Sequence, residues 1–198
     1  MTASEPTTIR VALPTDFHPL PQEDEDAERM IAAIVESCGV GDRRKSRLEA
    51  ELKGAVDYVR ARSAGRGRGW ALVKDPATGV VDAVVMAEAH RRPEGYGPRE
   101  HIELCQEAVR NLVAEDLWKF DASVTTISGS EAAVLHQIEV PSGEQSKRAI
   151  EQVAVVLFVD ESEYLEYRLV TQDLGLDEDI VGFTTALAAF STRTGTDS

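Results

Sequence analysis

The sequence predicts an α+β protein: an antiparallel sheet of about five or six strands covered by helices, with an N-terminal helical hairpin packed on or beside it. Three observations predict it. Residues 124–126 leading into 132–140, then 153–159 and 164–170, read as successive strands, and 177–190 follows them as a closing amphipathic helix. Residues 24–63 carry two apolar stripes at helical spacing, separated by a glycine-containing turn. Residues 70–74 and 80–88 flank Asp75-Pro-Ala-Thr-Gly79, a turn sequence between two apolar runs.

Taken in order, residues 1–7 and 192–198 are small and polar and are expected to fray. Residues 9–13 alternate around Arg10 as a first strand ending at Pro14, and Pro19 and Pro21 keep the next segment extended. The acidic run 23–26 opens a helix to about Cys38, since carboxylates offset the positive end of the helix dipole. Met30, Ile31, Ile34, Val35 and Cys38 form its buried stripe. After Gly39 and Gly41, Asp42 can cap a second helix to about Ser63, with Leu48, Leu52, Ala55, Val56 and Val59 facing inward. Residues 90–98 form a loop, and 99–114 an amphipathic helix with Ile102, Cys105, Val109 and Leu112 inward. The continuously apolar 153–159 belongs inside the sheet. In 164–170, Leu165, Tyr167 and Leu169 face one layer, and Glu166 and Arg168 the other. Ile180, Phe183, Leu187 and Phe190 place the last helix on the sheet. The 198 residues are read as a single domain, 1–198, with 8–63 as first strand plus helical hairpin and 66–192 as the rest.

Composition narrows the function. A formal net charge of −14 disfavours nucleic acid, whose binding needs cations to displace counterions, and disfavours anionic lipid. No run reaches the apolar length of a membrane span, and the first residues lack a basic-plus-apolar leader, so a cytoplasmic location is expected. Two cysteines make no disulfide framework.

Each chemical motif has a plainer reading. Gly65-Arg-Gly-Arg-Gly69 follows a helix and precedes a strand, the reverse of a phosphate-binding loop, and reads as a linker in which Gly65 ends the helix. His101 and Cys105 share a helix face at a spacing that two metal ligands can use, but no further ligand lies near in sequence, so a core cysteine and a rim histidine are expected. Nothing in the sequence pairs Cys38 or Cys105 with a base, and neither Ser128-Gly-Ser130 nor Ser142-Gly143 is a nucleophile elbow. No catalytic residue, metal or cofactor is predicted. The leading binding candidates are His90, Arg91, Arg92 and Tyr96, because arginine and tyrosine on a loop are enriched where proteins meet.

The helix over 101–114, the Val124-Thr-Thr-Ile-Ser-Gly-Ser-Glu-Ala-Ala133 turn, the long hairpin 150–170 and the closing Phe183…Phe190-Ser191 together resemble the PsbP-like α/β/α sandwich superfamily. The resemblance is to its bacterial branch, which includes type VI secretion effector chaperones and uncharacterised actinobacterial proteins. The opening Ile9-Arg-Val-Ala-Leu-Pro-Thr-Asp-Phe17 resembles that family's start, with Phe17 where tryptophan is usual. The resemblance implies a role in binding other proteins and carries over no catalytic residue. The expectation is therefore a non-enzymatic adaptor or chaperone linked to a bacterial secretion or toxin system, with a partner protein of basic surface. An immunity-type inhibitor and a structural subunit of an assembly are the near alternatives. An enzyme or small-ligand carrier would use a pocket between sheet and helical hairpin, with His136, Tyr167 and Arg168 as its first residues.

Overall fold

A computed structural model of the chain describes residues 8–10, 13–63, 67–111, 117–140, 148–190 and 192–194. A seven-stranded, wholly antiparallel sheet forms its centre, with strand order β2-β3-β4-β8-β7-β6-β5. These strands are β2 (Phe17–Pro19), β3 (Arg68–Leu72), β4 (Ala83–Arg91), β5 (Leu117–Ile127), β6 (Ser130–Glu139), β7 (Ile150–Phe158) and β8 (Glu163–Thr171). The α+β class is as predicted, with one or two more strands than expected. The additional pairing comes from β2, an edge strand that tolerates Pro19.

The strand expected over 9–13 is the short β1 (Thr8–Arg10). It pairs with β9 (Thr192–Thr194) outside the main sheet, so 192–194 is ordered by pairing where fraying was expected. Residues 1–7 and 195–198, the Gly65 helix end, Ser142-Gly143 and the Leu112–Ala114 end of the third helix lie outside the described residues.

Alternation along each strand gives the sheet two apolar faces. Ala83, Val85 and Ala87 point to the face covered by α4 (Ile180–Ala189), together with Val153, Val155, Leu165, Tyr167 and Leu169. Tyr167 and Leu169 are almost fully buried there, as the alternation of β8 predicts. Phe190 was expected on this face but is 67% exposed: α4 stops at Ala189, and Phe190 caps it facing solvent.

The opposite face carries two separate covers. The hairpin of α1 (Asp24–Ser37) and α2 (Asp42–Ser63) packs Ile31, Val35, Leu48, Leu52 and Val59 onto Ala71, Val73 and Met86. Leu48 and Leu52 are wholly buried, worth about 1.5–3 kcal/mol each. The close approach of α2 to β3 needs Gly69, where a Cβ would stand 2.7 Å from Val59 Cγ2. The second cover, α3 (Pro98–Asn111), packs Ile102 and Cys105 over Ala133, Leu135, Ala154 and Val156. Between the covers, part of β4 and β8 lies open.

Candidate functional site

The open strip is built by the register of β4 with β8. Glu88 lies opposite Glu166, His90 opposite Tyr164, and Met86 opposite Arg168. All point to the face that α2 and α3 share. The loop expected over 90–98 is shorter than predicted, because β4 continues through Arg91 and α3 starts at Pro98. His90 and Arg91 are therefore strand residues.

Two carboxylates directly across an antiparallel pair repel each other. The strip offsets this with a guanidinium. Arg168 pairs with Glu166 through both Nε, at 3.0 Å, and Nη2. His90 Nε2 stands 3.5 Å from Glu166 Oε2 and 3.8 Å from Glu88 Oε2, near both but beyond a close hydrogen bond. The His90 ring stacks on Tyr164, with centroids 4.9 Å apart and 15° between planes. Arg62, Ser63 and Gly67 at the end of α2 complete a cleft of about 150 Å³ over this floor.

Next to the cleft, Tyr96, His101, Phe158 and Tyr164 form an aromatic cluster with centroids 5.6–6.5 Å apart. Tyr96 Oη and His101 Nδ1 are 2.7 Å apart. Burial pushes the Tyr96 hydroxyl up to about 12 and holds His101 below its ordinary range. Tyr96 therefore stays a phenol and His101 a neutral imidazole, joined by a hydrogen bond in which neither is charged. Arg92 is spent on the fold. Its Nε donates to Tyr96 O at 2.6 Å, its Nη1 donates to Asp160 O at 2.7 Å, and its guanidinium lies 5.2 Å over the Phe158 ring. Of the four sequence-predicted residues, His90 lines the cleft, while Arg92 and Tyr96 brace its α3 side. Arg91 lies one place along β4 and points away from that face. Glu88 and Glu166, which sequence reasoning did not single out, complete the floor, and Tyr164, likewise not singled out, backs His90 from the α3 cluster. Only the β4–β8 register reveals them.

His136, Tyr167 and Arg168 do not converge. Tyr167 is buried under α4, Arg168 belongs to the strip, and His136 lines a second cleft. That cleft, about 430 Å³, lies beside the start of α4 and not against the helical hairpin as expected. There His136 Nε2 is 2.7 Å from Glu151 Oε1.

One contact departs from the sequence reading. Cys38 Sγ lies 3.4 Å from His18 Nε2, a thiol–imidazole pair from positions 20 apart. It is a poor nucleophile. Cys38 caps the C-terminal end of α1, where helix carbonyls disfavour negative charge. Burial raises the Cys38 thiol and lowers His18, so the pair rests as thiol and neutral imidazole. Cys105 is likewise raised, first by burial and then by Glu166. Among the described residues no three His, Cys, Asp or Glu side chains are grouped to hold a metal, and no helix is long and apolar enough to cross a membrane.

No family model matches the chain, and no curated protein matches it. Among solved structures, LpqN of Mycobacterium tuberculosis, described as involved in cell envelope biogenesis, aligns with a TM-score of 0.47 and 15% identity, covering 98% of this chain and 87% of that one.

Proposed function

We propose that this protein works by binding another protein, not by catalysis, and that the strip between α2 and α3 receives a side chain of that partner. One observation carries the reading: a floor of half-buried polar and oppositely charged side chains, namely His90, Glu88, Glu166 and Arg168, left open between two helical covers, with Tyr164 stacked on His90 beside it. Size supports it. Small-molecule sites run from roughly 300 to 1,000 Å³. A cleft of about 150 Å³ is the room of one protruding side chain. Arg62 and Arg168 line the recess, and arginine is enriched among interface anchors. The net charge of −14 favours a partner with a basic surface and speeds their encounter.

Adaptor, chaperone and immunity-type inhibitor roles all use this mode, and a cytoplasmic setting linked to a secretion or toxin system is the context we propose for it. The test is affinity capture from the native host with wild type, Arg62→Glu and Arg168→Glu, each checked for folding by circular dichroism. The reading expects one stoichiometric protein with wild type, lost with both variants. Recovery of no partner, or of the same partner with all three, contradicts it.

A further inference from the structure

β5 is the far edge of the sheet, three strands from β8, so its role is independent of the strip's. We propose that it is the interface of a closed dimer, in which β5 pairs antiparallel with β5 of a second copy of this chain.

The two edges of the sheet differ. β2 is three residues long and ends in Pro19, which has no backbone N–H to donate. β5 is eleven residues long, and among the described residues no strand pairs with its outer side. The two-residue turn at Ser128-Gly129 makes Ile127 and Ser130 a hydrogen-bonded pair. Odd-numbered residues from 119 to 127 therefore bond to β6, while Phe120, Ala122, Val124 and Thr126 turn N–H and C=O outward. Such an edge is a template for another strand, and proteins blunt it with charge, proline or a bulge. Here the irregularity between Leu117 and Lys119 and the charges of Lys119 and Asp121 guard only the first half. Residues 122–127, Ala-Ser-Val-Thr-Thr-Ile, carry no charge and no proline. Trp118 and Val124 are large apolar side chains left 71% and 45% exposed on this strand. Tryptophan is enriched where proteins meet.

Self-complementarity identifies the occupant. Because β2 offers no comparable edge, copies cannot chain along the sheet, and β5 meets another β5 about a two-fold axis. Ala122 is the midpoint of β5. An axis there sets residues 118–126 of the two copies against each other, with Phe120 opposite Val124 of the second copy, Asp121 opposite its Ser123, and no charge opposite its like. An axis at Lys119 or Asp121 would oppose like charges. Aromatic against β-branched is a favourable cross-strand pair, and a carboxylate can accept from a hydroxyl. Phe120 and Ala122 belong to the apolar layer under α3, so that layer runs on into the second copy through Val124. Lys119 and Asp121 pair at 3.1 Å and are the charged residues of β5, so two chains of net charge −14 meet along a neutral edge.

The test is sedimentation equilibrium of the full chain from about 1 μM to 1 mM, a range suited to a small interface. Wild type should pass from monomer to dimer and no further. Ala122→Pro removes an outward N–H and spares the bonds to β6. Val124→Lys adds a like charge on each side of the axis, and keeps the test open if Ala122→Pro unfolds. Each should weaken association about tenfold or more with the folded spectrum intact. Bismaleimidoethane should join two Ala122→Cys copies, whose paired Cα atoms lie about 5.5 Å apart. It should not join two Thr126→Cys copies, whose thiols are about 27 Å apart along the strands. Wild type, with Cys38 and Cys105, sets the background. A monomer throughout the range, growth beyond a dimer, unchanged association in the folded variants, or equal crosslinking at 122 and 126 overturns the proposal.

Discussion

His90 lies flat on Tyr164, its register partner across β4 and β8, and this stack joins the charged floor of the cleft to the aromatic cluster under α3. Tyr164 also contacts Phe158 at 5.6 Å and Tyr96 at 5.7 Å. Removing its ring therefore opens a gap in the α3 cover. Tyr164→Ala should cost about 2–3 kcal/mol in urea unfolding, while Tyr164→Phe, which keeps every ring contact, should stay within about 0.5 kcal/mol.

Two glycine substitutions should move stability in opposite directions. Gly69→Ala drives a Cβ to 2.7 Å and 2.9 Å from the Val59 methyls, so α2 must lift from β3. The expected cost is about 1–3 kcal/mol. Gly54 sits inside α2, and a Cβ there meets nothing within 4 Å. Gly54→Ala should gain about 0.5–1 kcal/mol by narrowing the unfolded chain's freedom. Thermal unfolding of the pair checks both signs.

Stability should fall on mild acidification. Burial keeps His101 below its ordinary 6.5, so the folded state refuses a proton that the unfolded chain accepts. The contribution is fully present above pH 6.5 and is lost as pH falls from there toward the lowered folded value. His18 shifts in the same direction, through burial. Urea midpoints at pH 7.5 and pH 5.0 should differ more for wild type than for His101→Gln, whose amide oxygen can still accept from Tyr96.

The first turn of α4 depends on Asp179, whose Oδ1 accepts from Gly182 N at 2.9 Å. Asp179→Ala should cost about 1 kcal/mol, read from the denaturant midpoint, with the folded spectrum unchanged.

Both thiols should be sluggish. Burial raises Cys38 and Cys105, so iodoacetamide at pH 7.5 should alkylate each more slowly than free cysteine, as followed by mass spectrometry. A Cys38 that reacts faster than free cysteine would show that His18 activates it.

What the sequence disclosed follows from local physics. The stripes of Leu48, Leu52, Val56 and Val59 and the alternation of Leu165, Tyr167 and Leu169 are set by helix and strand periods, and both sets lie buried as expected. The Ser128-Gly129 turn was legible too: both residues take positive φ, 49° and 87°, as a tight two-residue hairpin requires. The start of β5 was not legible. Edge strands bury little, Trp118 is 71% exposed, and an irregularity between Leu117 and Lys119 breaks the alternation. The pairing of β1 with β9, the Cys38–His18 contact and the β4–β8 floor are all long-range, and no local pattern encodes which distant residue lies opposite. For the same reason His90 was legible as a candidate while its companions Glu88, Tyr164 and Glu166 were not.

The central claim, that the recess between α2 and α3 holds a partner's side chain, is tested most directly by photo-crosslinking in the native host. Benzoylphenylalanine would replace Arg62 on the cleft rim and, as a control, the exposed Phe190 at the end of α4. The account predicts one discrete adduct with a second protein from position 62 and none from position 190. No adduct from position 62, or the same adduct from both positions, would contradict it.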